Sequence, residues 1–388
     1  MNYDLAVIGA GLAGLQCARL CASRGLRVLL LDRKASVTGP VHTTGIFVRK
    51  TWEDFPLPDE QLGPGIRDVV LHSPAGRTLP LRAQQDEFRV GRMSWLQLWL
   101  LEQCTRAGVE WIPNAKLVDC TDGVTFTHNG RREHVAARFV IGADGARSTV
   151  RSLMLPDVAP HYSGYVAWRG LVPEGELDAA SRAVLDGVFA FQHDEGEQML
   201  LEYLVPGEDG STAPGQRRWN WVWYRKVPQD GLPALLTDRT GRTHTFSLPP
   251  GALPDARAAV LRADARELLA PQFNALVQKT KEPFVQAILD LAVPRMVFGR
   301  VLLLGDAAFV PRPHTAGGAA KAAANALALA QALQRTDQPI EARLNDWEVL
   351  QLRAGRNLVD WGRRMGDGIM GVRRAAGYTG SPAGTPDL

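Results

Sequence analysis

The sequence predicts an α/β fold, α+β in overall content. A layer of parallel strands and helices comes from both ends of the chain, an antiparallel sheet is inserted between them, and a further helix follows at the C-terminal end. Three observations predict it. A βαβ unit opens the chain, Gly/Pro-punctuated strands fill its middle, and a buried strand followed by an alanine-rich helix returns near residue 300.

The elements follow in order. Asp4 to Gly9 is a short apolar run ending in glycine, as a buried parallel strand does. Leu12 to Arg24 carries small and apolar residues at helical spacing, and Gly25 stops it as a helix C-cap. Arg27 to Asp32 (RVLLLD) is the second strand. Met93 to Gly108 reads as a helix rich in Leu and Trp, and Phe139 to Gly142 as a strand running into Ala143-Asp144-Gly145-Ala146. After Leu155 the pattern changes. Val166–Val172, Val188–His193, Gln198–Val205 and Trp219–Val227 look like strands of an antiparallel sheet joined by Gly/Pro-rich turns. Ala256–Phe273 and Glu282–Leu291 read as helix, Val301–Leu304 as a buried strand, and Ala319–Leu333 and Leu344–Arg364 as helices. The tail from Gly377 is expected to fray. The expected division is 1–155 for the first part of the nucleotide layer, with 65–92 a candidate contributor to the middle sheet. The middle sheet takes 156–275, the second part of the nucleotide layer 276–340, and the C-terminal helix and tail 341–388.

Composition narrows the function classes. With 388 residues, 45% hydrophobic and 22% charged, the chain has room for two packed layers and a cofactor. The net charge of +3 from 44 basic and 41 acidic residues gives no support for nucleic-acid binding or stable membrane association. No apolar run reaches the roughly 20 residues that span a bilayer. With a strand at the very start no signal peptide is expected, so a cytoplasmic location is. Cys17, Cys21, Cys104 and Cys120 read as reduced core thiols, and no Cys or His pattern predicts a metal site.

Gly9-Ala10-Gly11-Leu12-Ala13-Gly14 is GxGxxG between a strand and a helix. Gly9 permits the tight turn, Gly11 lets backbone approach a pyrophosphate, and Gly14 lets the helix pack on the strand, a Rossmann-like arrangement. The amides at Leu12 and Ala13 and the positive end of the helix dipole complete the anion site. Asp32, about twenty residues on, can accept both ribose hydroxyls of an adenosine, with Arg33 beside it. These features indicate an adenine dinucleotide. Two later motifs indicate FAD rather than NAD. Asp144-Gly145 follows one strand, and Gly305-Asp306 follows another, where Asp306 can accept a ribityl hydroxyl. The loop through Gly317 and Gly318 can bring backbone amides to the flavin ring edge.

The stretches GYVAWRGLV (164–172), WNWVWYR (219–225), LLTDRTGR (235–242), SLPPG (247–251) and GDAAFVPRPHTAGGAAKAAANALALA (305–330) resemble those of the single-component aromatic hydroxylases of the para-hydroxybenzoate hydroxylase fold, most closely the 2,6-dihydroxypyridine 3-monooxygenase group. The resemblance implies an FAD-dependent monooxygenase. NADPH or NADH would reduce the flavin without a separate nucleotide domain, and a C4a-hydroperoxide of reduced flavin would hydroxylate an electron-rich aromatic or N-heteroaromatic ring with O2. It also implicates Asp144 and Arg147 in FAD and NAD(P)H handling, and a homodimer is a possible assembly. The segment TTGIFVRKTWEDFPLP (43–58) is more similar to the geranylgeranyl reductases and halogenases of the superfamily, which keeps a flavin reductase or saturase as the alternative.

Candidate site residues follow from motif position. Pro313 carries a backbone carbonyl expected to face substrate, and His314 is a group able to hydrogen-bond or deprotonate a hydroxypyridine. Arg312 would pair with a cofactor phosphate or be solvated, and the resemblance implies that Arg92, just before a helix, reaches the FAD pyrophosphate, the alternative being a surface salt bridge. Trp219, Trp221 and Trp223 alternate along one strand, so all three share one face. Trp221 and Trp223 are therefore substrate candidates, together with Tyr203; Tyr224 is a further polar group. The tryptophan trio resembles the halogenase W-x-W-x-I-P signature, but the Ile-Pro part is missing.

Overall fold

The computed structural model describes residues 2–38, 45–59, 62–63, 65–66, 68–75, 77–82, 88–194 and 196–371. His42 and the tail from Gly377 lie outside them.

The parallel layer grows from the first strand, Asn2–Ile8, where Leu5, Ala6, Val7 and Ile8 are all buried. Val28–Leu31 pairs with it in parallel on one side and Arg131–Gly142 on the other. Glu110–Ile112 extends the first flank and Val301–Leu303 the second. Chain order therefore reverses direction at the first strand. In open α/β sheets, ligands bind outside the carboxyl ends of the strands at such a point. The helix Leu12–Ala22 covers this layer, packed against helices Met93–Arg106 and Gly318–Gln334. Gly25, at φ +85°, turns the chain out of the first helix. All four cysteines are buried and unpaired.

The second sheet runs Ser247–Leu248, Phe284–Ala292, His161–Pro173, Arg218–Lys226, Gln198–Val205, Val188–Asp194, Asp68–His72 and Thr78–Arg82. Its pairings are antiparallel except that of Val188–Asp194 with Asp68–His72. One face is covered by helices Asp255–Leu268 and Pro271–Lys279. Into that face go Trp219, Trp221 and Trp223, each fully buried. Trp221 Nε1 donates to Thr280 Oγ1 at 2.8 Å and Trp223 Nε1 to Gln198 Oε1 at 2.8 Å, so their polar ends are satisfied. Each indole removes roughly 200 Å² from water, on the order of 5 kcal/mol before entropy costs.

Two helical expectations are corrected. Glu282–Leu291 is not a helix: Phe284–Ala292 is an interior strand of the second sheet, flanked on both edges. Its near-continuous burial explains the misreading, because an apolar run without alternation has no period to separate strand from helix. Ala256–Phe273 is two helices, broken where Pro271 forces Ala270 into extended backbone (φ −59°, ψ 152°).

The C-terminal helix, Ile340–Ile369, bridges both layers. Trp347, Leu358 and Val359 are buried along it. Glycines allow its close approach: a Cβ at Gly355 would lie 2.5 Å from the Phe309 ring, and one at Gly366 would collide with the Tyr165 hydroxyl. This face of the helix is an intramolecular cap. Among the described residues no helix is long and apolar enough to cross a membrane, and no cluster of His, Cys, Asp and Glu is arranged to hold a metal.

Candidate active site

The three glycine motifs meet at the carboxyl end of the first strand. Gly9 has φ +106°, and a Cβ there would lie 2.5 Å from the Ala143 carbonyl oxygen. Gly305 has φ +63°, and a Cβ there would lie 2.6 Å from Ala13 Cβ. A Cβ on Gly14 would overlap the Gly9 carbonyl oxygen. Gly9, Gly14 and Gly305 thus need glycine because a neighbouring part of the site presses on them, whereas Gly145 has nothing within 4 Å and needs glycine for its φ of +81°. At Gly11 too nothing lies within 4 Å of where its Cβ would be, and the helix beginning at Leu12 has no side-chain cap. Its free amides face open space, a cradle suited to a pyrophosphate. Asp32 supports this turn, accepting the Ala10 amide at 2.7 Å through Oδ2 and the Lys34 amide at 2.8 Å through Oδ1.

A groove of about 470 Å³ leads away from this point, lined in part by Arg33, Asp144, Gly145, Arg147, Asp306 and Pro313. Asp144 is held rigidly, accepting the Ser148 hydroxyl and the Thr149 amide at 2.6 Å. Burial pushes its carboxyl upward, against these hydrogen bonds. Burial and the neighbouring Arg33 guanidinium lower the Arg147 guanidinium, so two cations share one wall. Asp306 is half-exposed and receives an ion pair from Lys321 Nζ at 2.6 Å, with the Lys321 side chain almost fully buried.

A second cavity of about 490 Å³ lies on the open face of the antiparallel sheet. Its walls are mainly apolar, including Ile46, Phe189, Phe191, Met199, Leu201 and Val222. The polar groups along it are Arg169, Tyr203, Tyr224 and His314. Tyr203 is stacked on Phe189 at 5.8 Å. Arg169 and Pro313 line both this cavity and the groove, and so mark where the two join. Arg169 is 8% exposed; Nη1 donates to Gln286 Oε1 at 3.3 Å, and Nε is buried without a protein partner. A buried guanidinium N–H left open at a junction is a ready donor to a ligand.

The loop after Asp306 carries the rest. His314 lies in a short turn, Pro313–Thr315, ended by Ala316 at φ +49°, an uncommon conformation for a residue with a Cβ. Its Nε2 is 2.8 Å from the Tyr165 hydroxyl and its ring is 4.6 Å from that of Tyr224. Burial, then the Arg312 charge, lower His314 to about 4, against a smaller opposing effect of Asp290. The Pro313 carbonyl oxygen accepts the Ala316 amide at 3.1 Å, closing the turn. Gly318 borders open space, as expected for a loop that approaches a ligand, whereas a Cβ at Gly317 would press on Leu358.

Several expectations change. Trp221 and Trp223 do not line the cavity. Strand alternation turns them to the helix-covered face, and the intervening Val222 and Tyr224 face the cavity instead. Arg312 is neither solvated nor free for a phosphate: it is buried, bonded to Asp290 at 2.9–3.2 Å and to Asp367 at 2.8 Å. Burial opposes its charge, but these carboxylates raise its pKa further. Arg92 caps the helix Met93–Arg106 and stacks over Trp95 at 4.6 Å, away from the groove. Arg169, Lys321 and Tyr165 were not foreseen. Only Arg169 carries a signal in the sequence, a lone charge between Trp168 and Gly170 within an otherwise apolar strand.

Residues 7–54 match the NAD(P)-binding Rossmann-like domain family and residues 162–290 the FAD binding domain-like family. The solved structure of 2,6-dihydroxypyridine-3-hydroxylase from Arthrobacter nicotinovorans superposes with a TM-score of 0.84 at 25% identity, covering 98% of this chain and 96% of that one. The chain has the para-hydroxybenzoate hydroxylase-like fold of the FAD-dependent monooxygenases. Among these flavoproteins, 2,6-dihydroxypyridine 3-monooxygenase of Paenarthrobacter nicotinovorans is 36% identical over 59% of the chain, a stretch spanning just over half (56%) of that relative. 6-Hydroxynicotinate 3-monooxygenase of Bordetella bronchiseptica is 28% identical over 86% of the chain and 83% of its own length. Digeranylgeranylglycerophospholipid reductase 1 of Methanococcoides burtonii matches only 38% of the chain. FAD is the cofactor these features fit: the Gly11 cradle is open, Asp32 stands at the ribose position of the motif, and Asp306 faces the groove.

Proposed function

We propose that the chain hydroxylates an electron-rich aromatic or N-heteroaromatic ring, hydroxypyridine-like in character, using NADPH or NADH and O2. The observation that carries this reading is the meeting of the cofactor groove with an apolar cavity at Arg169 and Pro313. Bound FAD supplies the electron-transfer and oxygen chemistry. The chain's own residues do the rest. Gly11, Leu12, Ala13 and Asp32 hold the dinucleotide, with Arg33 and Arg147 beside the groove and Asp306 at the ribityl chain. Lys321 keeps Asp306 in place. Phe189, Phe191, Met199 and Leu201 exclude water and take the flat face of a ring. Arg169, Tyr203, Tyr224 and His314 are the polar groups that can orient it. Gly145, Gly317 and Gly318 bring backbone close to the cofactor.

The test is NAD(P)H oxidation by the FAD-loaded protein across hydroxypyridines and phenols under 18O2. Substrate-stimulated oxidation with one labelled oxygen in the product is expected. If no compound stimulates oxidation or gains label, the reading fails. Turnover of a polyprenyl substrate without O2 would favour the reductase alternative instead.

A further inference from the structure

We propose that Tyr165 is a positioning residue that fixes His314 as an imidazole protonated on Nδ1, so that the cavity presents an N–H donor and selects ligands offering an acceptor there: a pyridone carbonyl, a ring nitrogen or a phenolate oxygen. That such a ligand is the substrate rests on the hydroxylase reading; the tautomer does not.

The argument is one of donors and acceptors. Arg312 is clamped by Asp290 from the strand Phe284–Ala292 and by Asp367 from the C-terminal helix. Its Nη1 also lies 3.5 Å from the Tyr165 hydroxyl oxygen. A guanidinium only donates, so the Tyr165 oxygen accepts from it. The Tyr165 proton must then go elsewhere, and His314 Nε2 stands 2.8 Å away. Tyr165 is fully buried, with Gly366 closing over its hydroxyl. An Nε2 that accepts leaves the ring proton on Nδ1. The reverse arrangement, with Nε2–H donating to Tyr165, would strand the buried hydroxyl proton beside a cation, at the cost of a lost hydrogen bond.

The surroundings keep the ring neutral. Arg312 from its own loop opposes a second proton, Asp290 favours one, and Arg363 from the C-terminal helix lies 3.4 Å from Asp290 and offsets it. Tyr224 packs on the ring from the strand Arg218–Lys226 without adding charge, since burial holds its phenol well above the ordinary range. A group so placed is a poor general base. It rewards a ligand that arrives as the pyridone or the anion over a neutral phenol, whose oxygen is the weaker acceptor.

The test uses FAD-loaded protein labelled with 15N-histidine. Long-range 1H–15N correlation, assigned by comparison with His314→Gln, should show the Nδ1–H tautomer unchanged from about pH 5.5 to about pH 8.5, where an ordinary imidazole would titrate. 4-Nitrophenol, whose absorbance reports its ionisation, should bind as the phenolate. Tyr165→Phe should populate the Nε2–H tautomer and weaken nitrophenolate binding roughly tenfold, with FAD content unchanged. An Nε2–H signal in the unaltered protein, an imidazolium titrating near its ordinary value, or nitrophenol bound in the neutral form would overturn the proposal. If the tautomer holds while no ring is hydroxylated, the functional reading falls and this assignment stands.

Discussion

His314 and Glu202 lie against opposite faces of the antiparallel sheet, and burial neutralises both by opposite shifts. For His314 the folded value, about 4, lies below the ordinary 6.5. Between those pH values the unfolded chain takes up a proton that the folded chain refuses, so stability declines as pH falls through that window and is flat above it. Urea unfolding at pH 7 and pH 5 should show this loss, and His314→Gln should remove its share; an unchanged pH difference in the variant would count against the neutral imidazole. For Glu202, burial pushes the carboxyl well above its usual range, against weaker help from the Ala190 amide. The unfolded chain ionises this group above about pH 4 while the folded chain holds its proton, so the folded state loses stability as pH rises. Glu202→Gln is therefore expected to raise the melting temperature by a few degrees at pH 8 and by less at pH 5. Equal gains at both pH values would show that the carboxyl is ionised in the folded protein.

The C-terminal helix, the loop around His314 and the strand Phe284–Ala292 are joined by one guanidinium. Arg312→Met removes the buried guanidinium that bridges Asp290 and Asp367, leaving Asp290 with Arg363 at 3.4 Å and the Ser163 hydroxyl at 3.2 Å, and should cost about 3 kcal/mol, measured by denaturant unfolding; a loss below about 1 kcal/mol would mean the remaining partners compensate. This element scale is also where the sequence was hardest to read. The βαβ unit and its glycines were plain because the constraint is local: a turn, a cap and a strand within a few residues of one another. Phe284–Ala292 resembles a helix in sequence because its neighbours on both edges and both faces come from distant segments, and burial on all sides erases alternation. The tryptophans were rightly placed on a shared face, but nothing within Trp219–Trp223 says which face meets the cavity. That depends on helices Asp255–Leu268 and Pro271–Lys279 choosing a side. Arg169 and Lys321 were passed over for the same reason, since their partners Gln286 and Asp306 are fixed by tertiary contacts.

For the whole molecule, the cofactor cradle depends on three chain segments pressing together. Gly305→Val adds a side chain at positive φ and against Ala13, so the protein should lose FAD on gel filtration while keeping its far-UV circular dichroism. Retention of stoichiometric flavin would show that the contact can relax. The second sheet works differently. Along Gln198–Val205, Met199, Leu201 and Tyr203 face the cavity, while Leu200 and Leu204 belong to the helix-covered core. A lineage can therefore exchange the odd-numbered positions to explore new ligands while the even-numbered ones go on holding the sheet to its helices. Selection for what the protein accepts and selection for whether it stays folded act on alternate letters of the same strand, and neither need wait for the other.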